Sequence, residues 1–266
     1  MFITEAYVKS IYEAIKEKKP LIHCITNTVT INDCANVLLA CNASPVMAHH
    51  IKEVEEITSK ADALVCNMGA SESFEAMKKA CLKAGMEGHP IIIDPVGTAG
   101  STYRRQVCKE LIDMADISCI RGNYSEIRAL IEDVNTVTGV DSADDVIDVG
   151  HMKEYAAGHK LILVASGKVD IITDGKRVIR CYNGTHMMTR ITGSGCMSSS
   201  VLGAFMAISK DIESVAACCC MIGAAGELAE AKTRLKKGGT MTFHQCFIDI
   251  LSMMEEKKIT IKYTEG

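Results

Sequence analysis

The stretch Pro90-Ile91-Ile92-Ile93-Asp94-Pro95-Val96-Gly97 contains the pattern on which the predicted fold rests. A short apolar run ends at an acidic residue and turn-forming residues, and an amphipathic, charged stretch follows at 103–114. An unbroken apolar run is typical of a strand that is buried on both faces, and the periodic stretch is typical of a helix packed on the sheet. The order strand, turn and helix therefore predicts one βαβ unit of a parallel sheet.

The same alternation recurs up to about residue 165. Further apolar runs lie at 21–25, 45–48, 63–68, 117–120 and 161–164, and further helix-like stretches lie at 4–18, 51–60 and 71–84. Beyond them, Asp174-Gly175 separates two apolar runs, 169–173 and 178–182, which predicts an antiparallel hairpin. The last third is helical in pattern at 196–209, 212–232 and 241–256. We predict one α/β domain over residues 1–266, with a central, mostly parallel sheet flanked by helices.

Composition argues against several classes of partner. The net charge is -4 and aromatic residues make up 5% of the chain with no Trp, so the excess of Lys and Arg and the stacking platforms of a nucleic-acid-binding protein are missing. The first residues lack the basic region and apolar run of a secretory signal, and the most apolar stretch, 215–225, is too short to span a bilayer. We therefore predict a cytoplasmic protein that binds neither nucleic acid nor membrane.

The thirteen cysteines predict buried thiols rather than disulfides or a metal site. Their number is odd, and no two of them form a Cys-x-x-Cys pair. Free cysteine is among the residue types that are most often buried. We expect most of them to be small core residues in a reducing compartment.

The strongest local signal for chemistry is Thr192-Gly193-Ser194-Gly195-Cys196, which an apolar, helix-like run follows. Two glycines let backbone N–H groups converge, and a helix that begins there adds free N–H groups and a partial positive charge. Such a loop can bind a phosphate or a transferring phosphoryl group. The alternative is an ordinary tight turn. The loop matches neither a Walker sequence nor a Rossmann fingerprint.

Two acidic motifs also follow apolar runs. Asp94 ends the run 91–93, where it could face a metal-bound phosphate or could serve only as a turn or helix-capping residue. Asn123 and Glu126 lie three residues apart, so they could surround a hydrated Mg²⁺ while Arg121 reaches phosphate oxygens. The more common meaning of that spacing is a capping box at a helix start.

Two further motifs, ending at Asn27 and Met47, follow the first two apolar runs and could line a small pocket. A methionine at such a position is more often core filler than a ligand contact. All of these motifs are expected at transitions from a strand to a helix. Such transitions lie together at one edge of a parallel sheet.

Together these segments resemble the hydroxyethylthiazole kinase family of the ribokinase-like superfamily. The matching stretches, in the order of the family, are 23–27, 43–48, 94–97, 120–126 and 188–196. The resemblance implies a ribokinase-like fold, ATP-dependent phosphorylation of the hydroxyl of 4-methyl-5-(2-hydroxyethyl)thiazole in thiamine salvage, and a homotrimer with active sites between subunits.

The resemblance also implies roles for individual residues. Met47, Gly193 and Asn27 would contact the thiazole. Arg121, Ser166 and Asn123 would contact ATP, and Asp94 and Glu126 would hold Mg²⁺. Cys196, Gly193 and Gly195 would be catalytic, with Cys196 at the position where ribokinase-like enzymes generally place an aspartate base. Since a helix N-terminus favours a thiolate, we expect the pKa of Cys196 to lie below that of a free thiol.

Two segments depart from the family. Ser166-Gly167-Lys168 stands where Thr-Gly-Glu is usual, which keeps the hydroxyl but inverts a charge, and 238–243 departs from a Gly-Pro-Gly-Ser-Phe element. Two rival functions stay open from the residues alone: a lyase with the same fold, such as a nucleotide-hydrate dehydratase, and a thiazole- or nucleotide-binding regulator without turnover.

Overall fold

A nine-stranded sheet runs through residues 2–134 and 147–266, the parts of the chain that the computed structural model describes. The strands are β1 (Leu21–Ile25), β2 (Ser44–Val46), β3 (Ala63–Asn67), β4 (Ile91–Asp94), β5 (Cys119–Asn123), β6 (Ile162–Ser166), β7 (Asp170–Thr173), β8 (Val178–Cys181) and β9 (Tyr263–Glu265). Their order in the sheet is β2-β1-β3-β4-β5-β6-β7-β8-β9. The strands from β2 to β6 pair in parallel, and the three pairs from β6 to β9 are antiparallel.

Helices cover both faces of this sheet. They are α1 (Glu5–Lys18), α2 (Ile31–Ala40), α3 (Val54–Lys60), α4 (Phe74–Glu87), α5 (Thr102–Met114), α6 (Tyr124–Glu132), α7 (Val149–His159), α8 (Ser194–Met206), α9 (Ile212–Leu235) and α10 (Thr240–Ser252). The predicted α/β architecture, with a mostly parallel sheet flanked by helices, is confirmed.

The central strands divide the apolar core into two layers. Along β3, Leu64 and Cys66 join one buried cluster together with residues of α4 and α5, while Ala63 and Val65 join the other with residues of α8 and α9. Because side chains alternate across a strand, a run that is apolar at every position supplies both layers at once. This is the physical reason that the unbroken apolar runs of the sequence become the centre of the sheet.

Helix α9 contains the apolar stretch 215–225. By length and composition this 24-residue helix could cross a membrane, whereas the apolar stretch 215–225 alone is too short. However, 89% of its most apolar window is buried inside the protein, so α9 is packed as a core helix. The cysteines behave as predicted, since all thirteen are buried and free of disulfide bonds.

The hairpin at Asp174-Gly175 is confirmed as β7 and β8, which pair from Asp170 to Cys181. Strand β9 was not predicted, because its three residues, one half-buried and two exposed, carry too little apolar pattern. It forms by pairing with the edge of β8, and the hydroxyl of Tyr263 accepts a hydrogen bond from Ile3 N at 3.1 Å. The contact that defines β9 is therefore tertiary.

Candidate active site

The carboxyl ends of the parallel strands bring most of the predicted site residues to one edge of the sheet. The strand register places Asn67 beside Asp94 and Asn123 beside Ser166. Asn27 lies just beyond β1, and Met47 lies half-buried just beyond the edge strand β2. Helix α8 starts over the same edge and supplies Cys196 in its first turn.

A network of side-chain hydrogen bonds joins three strand ends to α8. The amide nitrogen of Asn67 donates to Asp94 Oδ2 at 2.8 Å and to Cys196 Sγ at 3.1 Å. The amide nitrogen of Asn27 donates to Asn67 Oδ1 at 3.2 Å and lies 3.5 Å from the same sulfur. Asn27 therefore contacts Cys196 directly, and Asn67, which was not predicted, joins both of them to Asp94.

The glycine loop forms the N-terminus of α8. Gly193 caps the helix with φ +78, a left-handed conformation that glycine adopts without strain. A Cβ at this position would come within 2.5 Å of Thr30 Cγ2, so the loop also needs glycine for its close approach to α2. Within the described part of the chain, no side chain caps this helix start. Its first N–H groups are thus free to meet an anion.

Arg121 contacts the loop from β5. Its side chain is 8% exposed, and its Nη1 donates to the carbonyl oxygen of Gly195 at 3.2 Å. The carboxylates of Asp170 and Asp94 lie near enough to act on this cation. Burial raises the pKa of Asp170 to about 6, although the charge of Arg121 opposes the shift. The arrangement places one fixed positive charge beside the anion-binding loop.

Asn123 and Glu126 form a capping box at the start of α6. Asn123 Oδ1 accepts from Glu126 N at 2.8 Å, and Glu126 Oε2 accepts from Asn123 N at 3.0 Å. The capping box, which is the more common meaning of this spacing, is therefore present. The second oxygen of Glu126 accepts from Gly97 N at 3.0 Å, which ties the loop after β4 to α6. Both predicted acidic motifs meet through this carboxylate.

Ser166 lies at the end of β6, and its Oγ donates to the carbonyl oxygen of Gly122 at 3.1 Å. It is half-buried next to Asn123, whereas Lys168 is exposed. Ser166 and Asn123 therefore share the part of the edge formed by β5 and β6, whereas Asn27 and Met47 lie beyond β1 and β2. The site extends along the edge and has two ends.

Residues 12–257 match the hydroxyethylthiazole kinase family. The chain belongs to this family. The hydroxyethylthiazole kinase of a Thermoanaerobacter species is 42% identical over 245 residues, which cover 91% of this chain and 92% of that protein.

Solved structures agree with this membership. The hydroxyethylthiazole kinase protein of Pyrococcus horikoshii OT3 superposes with a TM-score of 0.84 at 31% identity, covering 98% of this chain and 99% of that one. A ribokinase-like superfamily protein from Enterococcus faecalis V583 superposes with a TM-score of 0.64 at 13% identity, covering 93% and 94%. The second likeness concerns the fold alone, and the ribokinase-like fold that the resemblance implied is confirmed.

Besides Asp170, two further carboxyl groups of the site have raised pKa values. Burial raises the pKa of Asp94 to about 6, against the opposing charge of Arg121. Burial, and secondarily the charge of Asp94, raises the pKa of Glu126 to about 7. Two buried acids that destabilise each other's charge are a chemically suitable pair for a divalent cation.

The fit to Mg²⁺ is that of a hydrated ion. Among the described residues, no three or more His, Cys, Asp and Glu side chains gather as a ready-made metal site. Mg²⁺ usually keeps several water ligands and is bound through one or two carboxylates together with substrate phosphates. Asp94 and Glu126 match that donor set, so the residues fit the ion.

Cys196 departs from the expectation for its ionisation. Burial, and secondarily the charge of Asp94, raises the pKa of its thiol to about 12, so the predicted lowering by the helix N-terminus is wrong. The sulfur lies deeper than the helix start suggested, at 8% exposure for the residue. Desolvation of the thiolate outweighs the favourable dipole.

Sequence reasoning missed Asn67, Thr30 and Asp170. Asn67 was included in the apolar run 63–68, although an amide at the end of such a run is itself a signal for the carboxyl edge of a sheet. Thr30 and Asp170 carried no motif, because their importance comes from packing against Gly193 and from the charge of Arg121.

Proposed function

We propose that this chain, acting as one domain over residues 1–266, uses ATP to phosphorylate the hydroxyl of 4-methyl-5-(2-hydroxyethyl)thiazole. The observation that carries the proposal is the meeting of Cys196 with Asp94 and Asn27 at the uncapped N-terminus of α8, beside Arg121. Its membership of the hydroxyethylthiazole kinase family supplies the substrate. A product of this kind serves thiamine salvage.

The thiazole would bind at the end of the site formed by β1 and β2. Met47 offers a flexible apolar surface beyond β2, and Asn27 offers an amide next to Cys196. Gly193 lets the loop and α2 approach closely, which would bring the alcohol near the N–H groups of α8. A small, mostly apolar ring with one hydroxyl matches this combination of groups.

ATP would bind at the other end, over β5 and β6. Arg121 would contact phosphate oxygens, with Ser166 and Asn123 as further polar contacts. The hydroxyl of Ser166 replaces the usual threonine without loss of the polar group. Lys168 is exposed, so its inverted charge acts on the nucleotide through solvent and its effect should be small.

The reaction is a phosphoryl transfer. The alcohol oxygen forms a bond to the γ-phosphorus while the bond from that phosphorus to the β,γ-bridging oxygen breaks. ADP leaves with the electron pair, and the alcohol proton is released to water. The transition state is loose in most analyses, so positioning and charge neutralisation matter more than removal of the alcohol proton. The N–H groups from Gly193 to Cys196 would stabilise the charge on the moving group.

Cys196 would act beside the attacking hydroxyl, chiefly by orienting it. A thiol with a pKa of about 12 is almost wholly protonated at neutral pH, so only a small thiolate fraction can accept the alcohol proton. We therefore assign Cys196 a modest share of the rate enhancement. The larger share belongs to the backbone N–H groups and Arg121.

Mg²⁺ would be held by Asp94 and Glu126, in part through water. Bound there, the ion would neutralise charge on the β- and γ-phosphates. Glu126 keeps the loop of Gly97 against α6, and the amide of Asn67 fixes the Asp94 carboxylate. These contacts hold the two acids in place before any ligand arrives.

The test is release of ADP when the purified protein receives ATP, Mg²⁺ and the thiazole alcohol, with identification of the phosphorylated alcohol by mass spectrometry. We expect equal amounts of ADP and phosphate ester. Close alcohols without the thiazole ring serve as controls for the acceptor. ADP without the ester would contradict the acceptor, and binding without ADP release would favour the regulator.

We further propose a homotrimer with the active site near the subunit interface. Val29, Leu39 and Met241 are large apolar residues that are 71%, 60% and 67% exposed, and Val29 lies two residues from Asn27. A neighbouring subunit would cover such a surface. The mass in solution, measured by light scattering after gel filtration, should be three times 28.8 kDa. A monomer that is fully active would contradict this proposal.

The free, buried cysteines support a cytoplasmic location.

A further inference from the structure

The side chain of Asn67 makes hydrogen bonds with both of its polar atoms. Oδ1 accepts from Gly69 N at 2.8 Å and from the amide of Asn27 at 3.2 Å. Nδ2 donates one hydrogen to Asp94 at 2.8 Å and the other to Cys196 Sγ at 3.1 Å. Every donor and acceptor of this amide is thus used, and the residue is only 1% exposed.

The chemistry of the partners fixes which way the amide points. The backbone N–H of Gly69 can only donate, and an ionised carboxylate can only accept. A flipped amide would place Nδ2 against Gly69 N–H and Oδ1 against Asp94, with two repulsive contacts. The donor face of Asn67 is therefore directed at Cys196 and Asp94.

A buried amide is costly unless it is fully hydrogen-bonded. At this central strand end, an apolar residue would continue the run of β3 without that demand. Three of the four partners of Asn67, namely Asn27, Asp94 and Cys196, belong to the proposed reaction site. Most hydrogen bonds of this amide therefore go to residues of the proposed reaction site.

We infer that Asn67 is a positioning residue, whose amide holds the sulfur of Cys196 and the carboxylate of Asp94 in a fixed relation to each other. The inference rests on the proposed kinase function. Two amide hydrogens, from Asn67 and Asn27, reach the same sulfur, so the sulfur is an acceptor on that side. A thiol hydrogen must point away from both amides. Asn67 thereby sets the orientation that Cys196 presents to the acceptor alcohol.

The discriminating variant is Asn67→Asp. A carboxylate of the same shape can still accept from Gly69 N and Asn27, but it offers no hydrogen to Cys196. Against Asp94 it places a second carboxyl group, and the two must share a proton. We expect kcat to fall by roughly 10–100-fold, the size expected when a reacting group is held less precisely. The KM values for ATP and for the thiazole alcohol should change less than kcat does, because Asn67 itself contacts neither ligand in the proposed site.

The matched control is Asn183→Asp. Asn183 is also a buried asparagine, 7% exposed, whose Nδ2 donates to Thr260 O at 2.9 Å and whose Oδ1 accepts from Lys262 N at 2.8 Å. Since these partners lie in the C-terminal segment, this variant should lose stability and keep its kcat. The control separates the loss of stability that follows from changing any buried amide from the loss of kcat that follows from misplacing Cys196 and Asp94.

A double-mutant cycle with Cys196→Ala tests whether Asn67 acts through the sulfur. In the Cys196→Ala background, Asn67→Asp should cost clearly less in kcat than it costs in the wild type. Equal costs in both backgrounds, or an unchanged kcat in Asn67→Asp, would overturn the inference. If Asn67→Asp does not fold, Asn67→Ser replaces it in the same cycle, since one hydroxyl can donate to only one of the two partners. A wild type without kinase activity would instead refute the proposed function.

Discussion

Arg121 and Gly195 are joined by a hydrogen bond of 3.2 Å although they lie 74 residues apart in the chain. The guanidinium comes from the end of β5, and the carbonyl group comes from the first turn of α8. The bond therefore connects the predicted nucleotide end of the site to the loop that would receive the transferring phosphoryl group. Arg121 uses one nitrogen for this bond and has others with which to bind phosphate.

Arg121→Lys should raise the KM for ATP by about tenfold. An ammonium group cannot hold the Gly195 carbonyl and a phosphate in the forked geometry of a guanidinium, even though the charge is kept. Steady-state kinetics with varied ATP measures the effect. The matched control is Arg234→Lys, at an exposed pair with Glu230 on α9, which should behave as the wild type. An unaltered KM in Arg121→Lys would remove Arg121 from the ATP site.

Cys196→Ala should lower kcat by roughly 10–10³-fold, the range of general-base and orientation effects. The raised pKa of the thiol argues for the smaller half of that range at neutral pH. The rate of ADP release under saturating substrates measures it. Cys246→Ala, which removes another buried thiol from α10, serves as the control and should keep its turnover. Full activity of Cys196→Ala would show that the sulfur takes no part in the mechanism.

Gly195→Val should lower kcat by about 10²–10³-fold, the cost of losing one donor of an oxyanion site, while the protein stays folded. Among the residues that the structure describes, a Cβ at Gly195 meets only Arg121 Nη1, at 3.8 Å, so there is room for a side chain. That side chain would occupy the space in front of the free N–H groups. The control is Gly158→Val, at an equally open helix position in α7, and circular dichroism verifies folding. Normal turnover in Gly195→Val would refute the anion-binding loop.

The ionisation of Glu126 should make the protein less stable as the pH rises from about 5 to about 8. The pKa of Glu126 is about 7 in the folded protein and lies near 4.3 in an unfolded chain, so the folded state binds the proton more tightly. Its stabilising contribution is complete below about pH 4 and is lost as the pH passes 7.

Glu126→Gln removes this titration. Relative to the wild type, its free energy of unfolding should therefore rise between pH 5 and pH 8, by roughly 1–3 kcal/mol. The loss of one acceptor for Gly97 N or Asn123 N adds a cost that does not vary with pH. Urea unfolding at several pH values measures the difference. A difference that does not vary with pH would contradict the raised pKa of Glu126.

Mg²⁺ alone should raise the unfolding temperature of the wild type at pH 8 by several degrees, because it binds the folded state and neutralises two buried acids. Asp94→Asn should lose most of this increase, and a chelator should reverse it in the wild type. Asp113→Asn, at an exposed position of α5, should respond as the wild type does. An equal response in Asp94→Asn would place the ion elsewhere.

Much of the sheet could be predicted because its central strands are apolar at every position. The runs at 63–68 and 91–93 contain their own strand signal, and their ends mark the functional edge. The hairpin around Asp174-Gly175 followed from local turn chemistry. Strand β9 and helix α2 could not be predicted in this way. Strand β9 depends on pairing with β8, and α2 carries only a short pattern.

The site was predicted residue by residue from strand ends, but the relations between residues were not. Nothing in the spacing of Asn67 and Cys196 indicates that the two side chains touch. The ionisation of Cys196 was predicted in the wrong direction, because its depth depends on how α8 packs over β3 and β4. Burial is a property of the assembled core, and a local motif does not report it.

The reactivity of the thirteen buried thiols can be used to measure local unfolding of the protein. Alkylating reagents need a thiolate in contact with water, so a cysteine in the native core reacts only when its surroundings come apart. Cys66 on β3, Cys119 on β5 and Cys246 on α10 sample the centre of the sheet and an outer helix. Their labelling rates, read peptide by peptide in a mass spectrometer, would map the free energy of opening along the molecule without any introduced label.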